Sequence, residues 1–214
     1  MPASTTSVPA ARSSSAAPRS SAPSSSAPSS SAAVSLVANE LLRAAERTAV
    51  ASASALDDLA DAVLGAERVF VVGAGRSGIA LRMTAMRLMH LGLDVHVVGE
   101  ATAPAIRPGD LLLTASGSGG TESVVRAART ASDVGARVAA ITTDATSSLG
   151  EVADVVVTVP AAQKLDRSAT ASQQYAGSLF EQLVVVLGDG LFHTLWHRRG
   201  SSADELWPRH ANLE

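Results

Sequence analysis

The chain has 214 residues, enough for one ordinary α/β domain with a tail. Its net charge of -3 argues against nucleic acid as a partner, because binding phosphates requires clustered Lys and Arg. The lack of cysteine excludes disulfides, a thiol nucleophile and cysteine-ligated metals. No apolar run reaches the ~18 residues that span a bilayer, and an apolar secretory signal is missing. We therefore expect a soluble, cytoplasmic protein that binds no membrane.

The first part of the chain differs in composition from the rest. From Pro2 to Ala33 it consists mainly of Ser, Ala and Pro, with two Arg and no acidic residue. Such a segment has too few large apolar side chains to offset the entropy lost on ordering. We predict a disordered tail over residues 1–33 and a folded domain over residues 34–214.

The folded part opens with a helical pattern and continues as alternating strands and helices. Apolar residues recur at three- and four-residue spacing over Val34–Leu64, which predicts a long helix whose apolar seam packs against another subunit. Apolar strands that alternate with helices indicate a parallel sheet covered on both faces. The predicted strands are Arg68–Val72, Asp94–Val98, Asp110–Thr114, Arg137–Thr142 and Asp154–Val159, and the later helices are Ser77–Leu91, Thr121–Val134 and Ser172–Trp196.

The first strand ends in a glycine-rich turn. Gly73, Gly75 and Gly78 follow the dinucleotide-binding spacing between a strand and a helix, and Glu100 falls where a ribose-binding acid would be expected. Ser77 lies inside this turn, where its hydroxyl and backbone N–H could face one phosphate at the helix N-terminus. The turn alone is therefore compatible with either a nicotinamide cofactor or a smaller phosphate ligand.

A second strand-to-helix turn favours the smaller ligand. It carries three hydroxyls, on Ser116, Ser118 and Thr121, directly after an apolar strand. In an open parallel sheet both turns lie at the same carboxyl edge. Taken alone the second turn could be an ordinary flexible loop, but beside the first it predicts a site for a phosphorylated sugar.

Glu181 is the leading acid–base candidate. Gln174, Ser178, Glu181 and Gln182 share one stripe at helical spacing, and an apolar run follows them, which suggests that the polar end borders a cavity. Burial raises the pKa of a carboxylate toward that of a useful general base. A surface glutamate with an intrahelical partner is the alternative that the pattern leaves open.

The histidines carry weaker signals. His210 lies close to the chain end, where termini are usually frayed, so its role needs support from elsewhere. His193 and His197 are four residues apart on a helix, a spacing that suits a metal. No third ligand accompanies them in the pattern that zinc sites require, so we expect no metal.

Together these segments resemble the 6-phospho-3-hexuloisomerases, members of the sugar-isomerase (SIS) domain family. The resemblance covers about Val34 to Glu214. One residue departs from the family pattern, because Gly120 stands where the second loop usually has a glutamate. The segments that carry the resemblance are Gly73–Gly78, Ala85–Gly92, Val97–Glu100, Ser116–Gly119, Gln174–Gln182 and Arg209–Glu214.

The resemblance implies a single SIS domain with a five-stranded, flavodoxin-like parallel sheet, assembled as a homotetramer or homodimer. It implies interconversion of D-arabino-hex-3-ulose 6-phosphate and D-fructose 6-phosphate through a 2,3-enediolate, in the ribulose monophosphate route of formaldehyde fixation. A 3-hexulose-6-phosphate synthase would act just upstream, and no redox cofactor would be needed. A non-catalytic phosphosugar sensor and a nicotinamide-dependent oxidoreductase are the alternatives.

The same resemblance suggests roles for individual residues. Glu181 would move the proton between C2 and C3, and His210 would relay hydroxyl protons, since histidine ordinarily titrates near neutral pH. The 6-phosphate would be held by hydroxyls, and neighbouring residues would complete the substrate contacts. The phosphate group of residues is Ser77, Ser116, Ser118 and Thr121, and the further substrate contacts are Gly75, Arg76, Gly117 and Gln174.

Overall fold

The computed structural model describes residues 27–162 and 172–213. Most of the predicted tail, residues 1–26, therefore lies outside the described residues, and the tail remains a prediction. The strands are β1 (Val69–Gly73), β2 (Val95–Val97), β3 (Leu111–Ala115), β4 (Arg137–Thr142) and β5 (Val155–Thr158). The helices are α1 (Ser30–Ala51), α2 (Ala53–Gly65), α3 (Gly75–His90), α4 (Glu122–Asp133), α5 (Ser178–Arg199) and α6 (Ala203–Leu206), followed by a 3₁₀ turn at Trp207–Arg209.

The strands form one five-stranded sheet in the order β2-β1-β3-β4-β5, and each neighbouring pair is parallel. This confirms the predicted α/β fold with a flavodoxin-like order of strands. The chain moves outward from β1 in opposite directions, to β2 on one side and to β3 on the other. A crevice therefore opens at the carboxyl ends of β1 and β3, which is where ligands bind in open α/β sheets.

Alternation along the strands divides the core into two layers. Val71 and Leu113 face α2, α3 and α5 in the larger core, whereas Phe70 and Leu112 face α4 in the smaller one. Because the strands are apolar on both faces, neither face of the sheet can be left in water. Helix α1 lies outside this arrangement, packs mainly on α5, and buries only Ala44 and Thr48.

The helix predicted over Val34–Leu64 is divided in the structure. Its long first part is confirmed as α1, which begins at Ser30, but the helix breaks at Ser52 before α2. The Ser52 hydroxyl donates to the carbonyl of Thr158 in β5 at 2.9 Å. The chain turns here because that contact ties the helix junction to the edge strand of the sheet.

Helix α5 begins later than predicted. The spacing predicted a helix from Ser172, but Ala176 and Gly177 have positive φ values of 41° and 74°, and the helix starts at Ser178. A left-handed residue cannot continue a right-handed helix. The helix ends at Gly200, whose φ of 67° marks the predicted break. None of the helices in the described ranges is long and apolar enough to cross a membrane.

Candidate active site

Two glycines set the position of the first phosphate-binding turn. A Cβ on Gly78 would lie 2.4 Å from the carbonyl oxygen of Gly73, so only glycine lets the start of α3 touch the end of β1. Gly75, between them, has a φ of 57°, in the left-handed region that glycine adopts without strain. This close approach places Ser77 in the first turn of α3, with 5% of its surface exposed. The glycine spacing is thus explained by backbone packing.

The second turn brings its hydroxyls to the same edge. Ser116 follows β3 directly and is 4% exposed, and its hydroxyl lies 3.0 Å from that of Thr121 at the start of α4. Ser118 is exposed and accepts the backbone N–H of Gly120 at 3.3 Å. A side chain on Gly119 would collide with Ser147, whereas Gly120 faces open space. The loop can therefore form without the glutamate that the family usually has at position 120.

The start of α5 forms the third side of the site. The ring of Phe180 packs on Gly117, where a Cβ would lie 3.4 Å from the ring. Glu181 follows Phe180 and has only 7% of its surface exposed. A small cavity contains all three elements. Its lining residues are Ala74, Ser77, Ala115, Ser116, Gly117, Ser118, Thr121, Ala162, Gly177, Phe180 and Glu181.

The structure thus brings the four hydroxyl residues, Gly117 and Glu181 together, as their roles require. Arg76 contacts this group from the side. One guanidinium nitrogen lies 3.1 Å from a carboxylate oxygen of Glu181 and 3.1 Å from the hydroxyl of Ser178. Because the Arg76 side chain is 61% exposed, water screens this ion pair, and its main effect is to orient the carboxylate.

Gln174 reaches the site through a chain of hydrogen bonds and not through the helix. Its side-chain amide donates to Glu40 of α1 at 3.1 Å, and its carbonyl oxygen accepts from Gln182 at 2.8 Å. Glu40 also accepts from the Ser172 hydroxyl and the Gln173 backbone N–H. Burial raises the pKa of Glu40, but these hydrogen bonds outweigh it and hold the pKa below its usual value. The sequence analysis missed Glu40, whose partners lie more than 130 positions away.

His210 lies at the other end of α3. Its ring stacks on that of His90, the last residue of the helix, with 4.0 Å between the ring centroids. Arg209 beside it donates to the carbonyl oxygens of His90 and Glu205, so the segment is docked and not frayed. Ser77 and His90 are thirteen residues apart, about 20 Å at ~1.5 Å per helical residue. The structure therefore separates His210 from the Glu181 cavity of its own subunit.

The other paired histidines contact each other. The rings of His193 and His197 lie 4.2 Å apart, and Nδ1 of His197 lies 2.8 Å from the carbonyl oxygen of His193. Over residues 27–162 and 172–213, no group of three His, Cys, Asp or Glu side chains is placed to hold a metal ion.

Comparison with known proteins identifies the class of fold to which this site belongs. The SIS domain family matches residues 63–186, which is more than half of the chain. The matched region runs from α2 to α5 and includes both hydroxyl-bearing turns and Glu181. The chain belongs to the SIS domain family.

Individual relatives narrow the comparison. The chain is 53% identical over 181 residues to the 3-hexulose-6-phosphate isomerase of Mycobacterium gastri, covering 85% of this chain and 89% of the relative. It is 37% identical over 182 residues to the Bacillus subtilis enzyme of the same name, covering 85% and 97%. A solved structure from Methanococcus jannaschii, for which a 3-hexulose-6-phosphate isomerase function was inferred, matches with a TM-score of 0.73 at 30% identity, covering 85% and 99%.

Proposed function

We propose that this chain is an isomerase that interconverts D-arabino-hex-3-ulose 6-phosphate and D-fructose 6-phosphate. The observation that carries the proposal is the buried carboxylate of Glu181 in a cavity otherwise lined by hydroxyls, small residues and Phe180. A phosphosugar sensor needs the hydroxyls but has no use for a buried base. The relatives named as isomerases of this substrate support the same conclusion.

The 6-phosphate binds between the starts of α3 and α4. Ser77, Ser116, Ser118 and Thr121 supply hydroxyl donors, and the first-turn N–H groups of both helices face the same space. Such contacts act on a part of the substrate that does not react. Their binding energy fixes the position of the reacting carbons relative to Glu181.

The isomerisation then needs one base and one proton relay. Glu181 removes the proton from C2, and the electron pair forms the C2–C3 double bond of an enediolate while the charge moves to the oxygen on C3. The proton on the C2 oxygen is transferred to the C3 oxygen, and Glu181 returns its proton to C3. The products have a carbonyl at C2 and a hydroxyl at C3, and no hydride or electron leaves the substrate. Arg76 orients the carboxylate for both transfers.

The relay group is His210 of a neighbouring subunit. In its own chain His210 is docked about 20 Å from the cavity, one α3 helix away. A homo-oligomer, either a dimer or a tetramer, brings the two groups together. An upstream 3-hexulose-6-phosphate synthase would supply the substrate, as part of the ribulose monophosphate route.

The direct test is to incubate the purified protein with hexulose 6-phosphate, without nucleotide or added metal, and to measure fructose 6-phosphate. In deuterium oxide the ketose should also acquire deuterium at C2, because a proton held on Glu181 can exchange with water before it returns. Binding of the phosphosugar without conversion or exchange would identify a sensor. Conversion that depends on a nicotinamide nucleotide would contradict the enediolate route.

A further inference from the structure

Helix α3 carries a stripe of large apolar side chains that faces away from the core. Ile79, Met83 and Met86 are 64%, 47% and 50% exposed. Their spacing of four and three residues puts them on one face of the helix. The opposite face is buried, with Leu81, Thr84 and Leu88 packed inside the protein. We call Ile79, Met83 and Met86 the α3 stripe.

The α3 stripe joins the two separated parts of the proposed machinery. Ile79 lies one turn from Ser77 at the cavity end. At the other end His90 continues the same face, four residues after Met86, and His210 covers it. Trp207, which contacts His210, is 70% exposed beside it. An apolar surface that connects a site to a docked terminus in this way is unusual on a monomer.

We infer that the α3 stripe binds the same stripe of a second copy, antiparallel to it, about a two-fold axis that passes close to Met83. The position of the axis follows from the helix itself, since Met83 and Thr84 are midway between Ser77 and His90. With the axis there, the partner's His210 lies at the cavity end of this helix, and the reciprocal contact forms at the other end. A two-fold axis requires such self-complementarity.

Charge is compatible with this pairing. Arg82, beside the stripe, pairs with Glu100 of its own chain at 3.5 Å, so the cation next to the contact is already compensated. Arg87 is turned toward α5, where its guanidinium lies 5.6 Å from the ring centroid of Phe192. The side chains at the centre of the stripe are uncharged, so two copies can approach without repulsion.

The inference rests on the proposed function in one respect, the assignment of His210 to a neighbour's site. The exposed stripe does not depend on it. The experiment should therefore detect assembly without measuring activity.

The lack of cysteine in the chain allows single cysteines to be read directly. Met83→Cys lies next to the axis, so mild oxidation of the full-length protein should give a disulfide-linked dimer in high yield on a non-reducing gel. Ile79→Cys is the matched control on the same stripe. In the antiparallel arrangement two copies of residue 79 are about 12 Å apart along the helices, too far for a disulfide. Val134→Cys, on the exposed end of α4, reports random collisions.

A mixture of Ile79→Cys and Met86→Cys, coexpressed and oxidised, should crosslink more than either variant alone, because an antiparallel pair places residue 79 opposite residues 86 and 87. Equal crosslinking by Met83→Cys and Val134→Cys would overturn the inference. Efficient crosslinking by Ile79→Cys alone would overturn the antiparallel direction. Crosslinking at Met83 in a protein that does not convert hexulose 6-phosphate would leave the interface standing and reject the function.

Discussion

Glu181 combines burial with a position beside the phosphate-binding hydroxyls, so its substitution is the sharpest test of the chemistry. Glu181→Gln preserves the shape and the contact with Arg76 through its amide oxygen, but removes the base. We expect kcat to fall by at least ~10²–10⁴-fold, the usual contribution of a general base, with little change in phosphate affinity. Steady-state kinetics and C2 deuterium exchange measure this.

Glu122→Gln is the matched control for that variant. Glu122 is an exposed acid in the first turn of α4, close to the same turn but outside the cavity. It should retain nearly full activity. If Glu181→Gln kept more than about a tenth of wild-type kcat, the lost barrier height would be only ~1.4 kcal/mol, too little for a proton-transferring base.

The serines of the second turn should act on binding. Ser116→Ala and Ser118→Ala each remove a hydroxyl that donates to a charged phosphate, worth roughly 1.5–3 kcal/mol. We expect KM to rise by about ten- to a hundredfold for each, since ~1.4 kcal/mol corresponds to a factor of ten, while kcat changes less. Ser123→Ala, one turn along α4, provides the control. Unchanged KM in the double variant would move the phosphate elsewhere.

Helices α3 and α5 are packed so closely that a glycine is required between them. A Cβ on Gly188 would lie 2.0 Å from the hydroxyl oxygen and 3.1 Å from the Cβ of buried Thr84. Gly188→Ala should therefore lower the free energy of unfolding by ~1–3 kcal/mol, the usual cost of overpacking. Gly190→Ala, in the same helix but with nothing within 4 Å, should be neutral or stabilising by up to about 1 kcal/mol. Urea unfolding of both variants makes the comparison, and equal stabilities would contradict this view of the helix contact.

Strands β1 and β3 are joined at their amino ends by a buried acid. Asp110 accepts two hydrogen bonds from the Arg68 guanidinium, at 3.0 and 2.6 Å, and one from the Arg107 backbone N–H. Burial raises the pKa of Asp110, but these contacts outweigh it and hold the pKa below its usual value. The stabilisation is therefore complete above the ordinary aspartate pKa and is lost as the pH falls through the lower, folded value. Asp110→Asn should be less stable at neutral pH and should show a flatter loss of Tm with acid. Parallel acid limbs for the two proteins would contradict this.

The elements that depend on local pattern were predictable, and those that depend on distant contacts were not. The strands were found to within about a residue at their ends because buried parallel strands are apolar throughout. The hydroxyls on Ser77 and Ser116 were grouped correctly because carboxyl ends of parallel strands share an edge. The break at Ser52, however, depends on a bond to Thr158, 106 positions away. The docking of His210 on His90, like the pairing of Arg76 with Glu181, joins residues that no local pattern connects.

At the scale of the whole molecule, the two proposed proton-transferring groups lie at opposite ends of one helix. Helix α3 runs parallel to α5, with Arg76 beside Glu181 at one end and Arg199 bonded to the Leu91 carbonyl at the other. A rigid pair of helices of this kind keeps His210 away from its own cavity. Helix α1 offers a second surface for assembly, because Val34, Leu42 and Val50 are exposed along it. Two different two-fold contacts, one on α3 and one on α1, would produce a tetramer with 222 symmetry.

The shared site predicts that two defective proteins can complement each other. Glu181→Gln and His210→Ala variants, coexpressed or mixed under conditions of subunit exchange, should form hybrid pairs in which one of the two sites has both groups intact. With random pairing half of the dimers are hybrids, so the mixture should regain up to about a quarter of wild-type activity, well above the sum of the separate variants.

A chain that carries both substitutions, mixed with wild type, is the control that fixes the direction of sharing. In a shared site each hybrid pair then lacks one group at both positions, so wild-type activity should fall as the defective chain is added and hybrids form. If Glu181 and His210 acted within one subunit, the wild-type chain would keep its full activity in every hybrid, and the two single variants would regain nothing on mixing. That pair of results would require the docked C-terminal segment to leave His90 and cross ~20 Å to its own cavity.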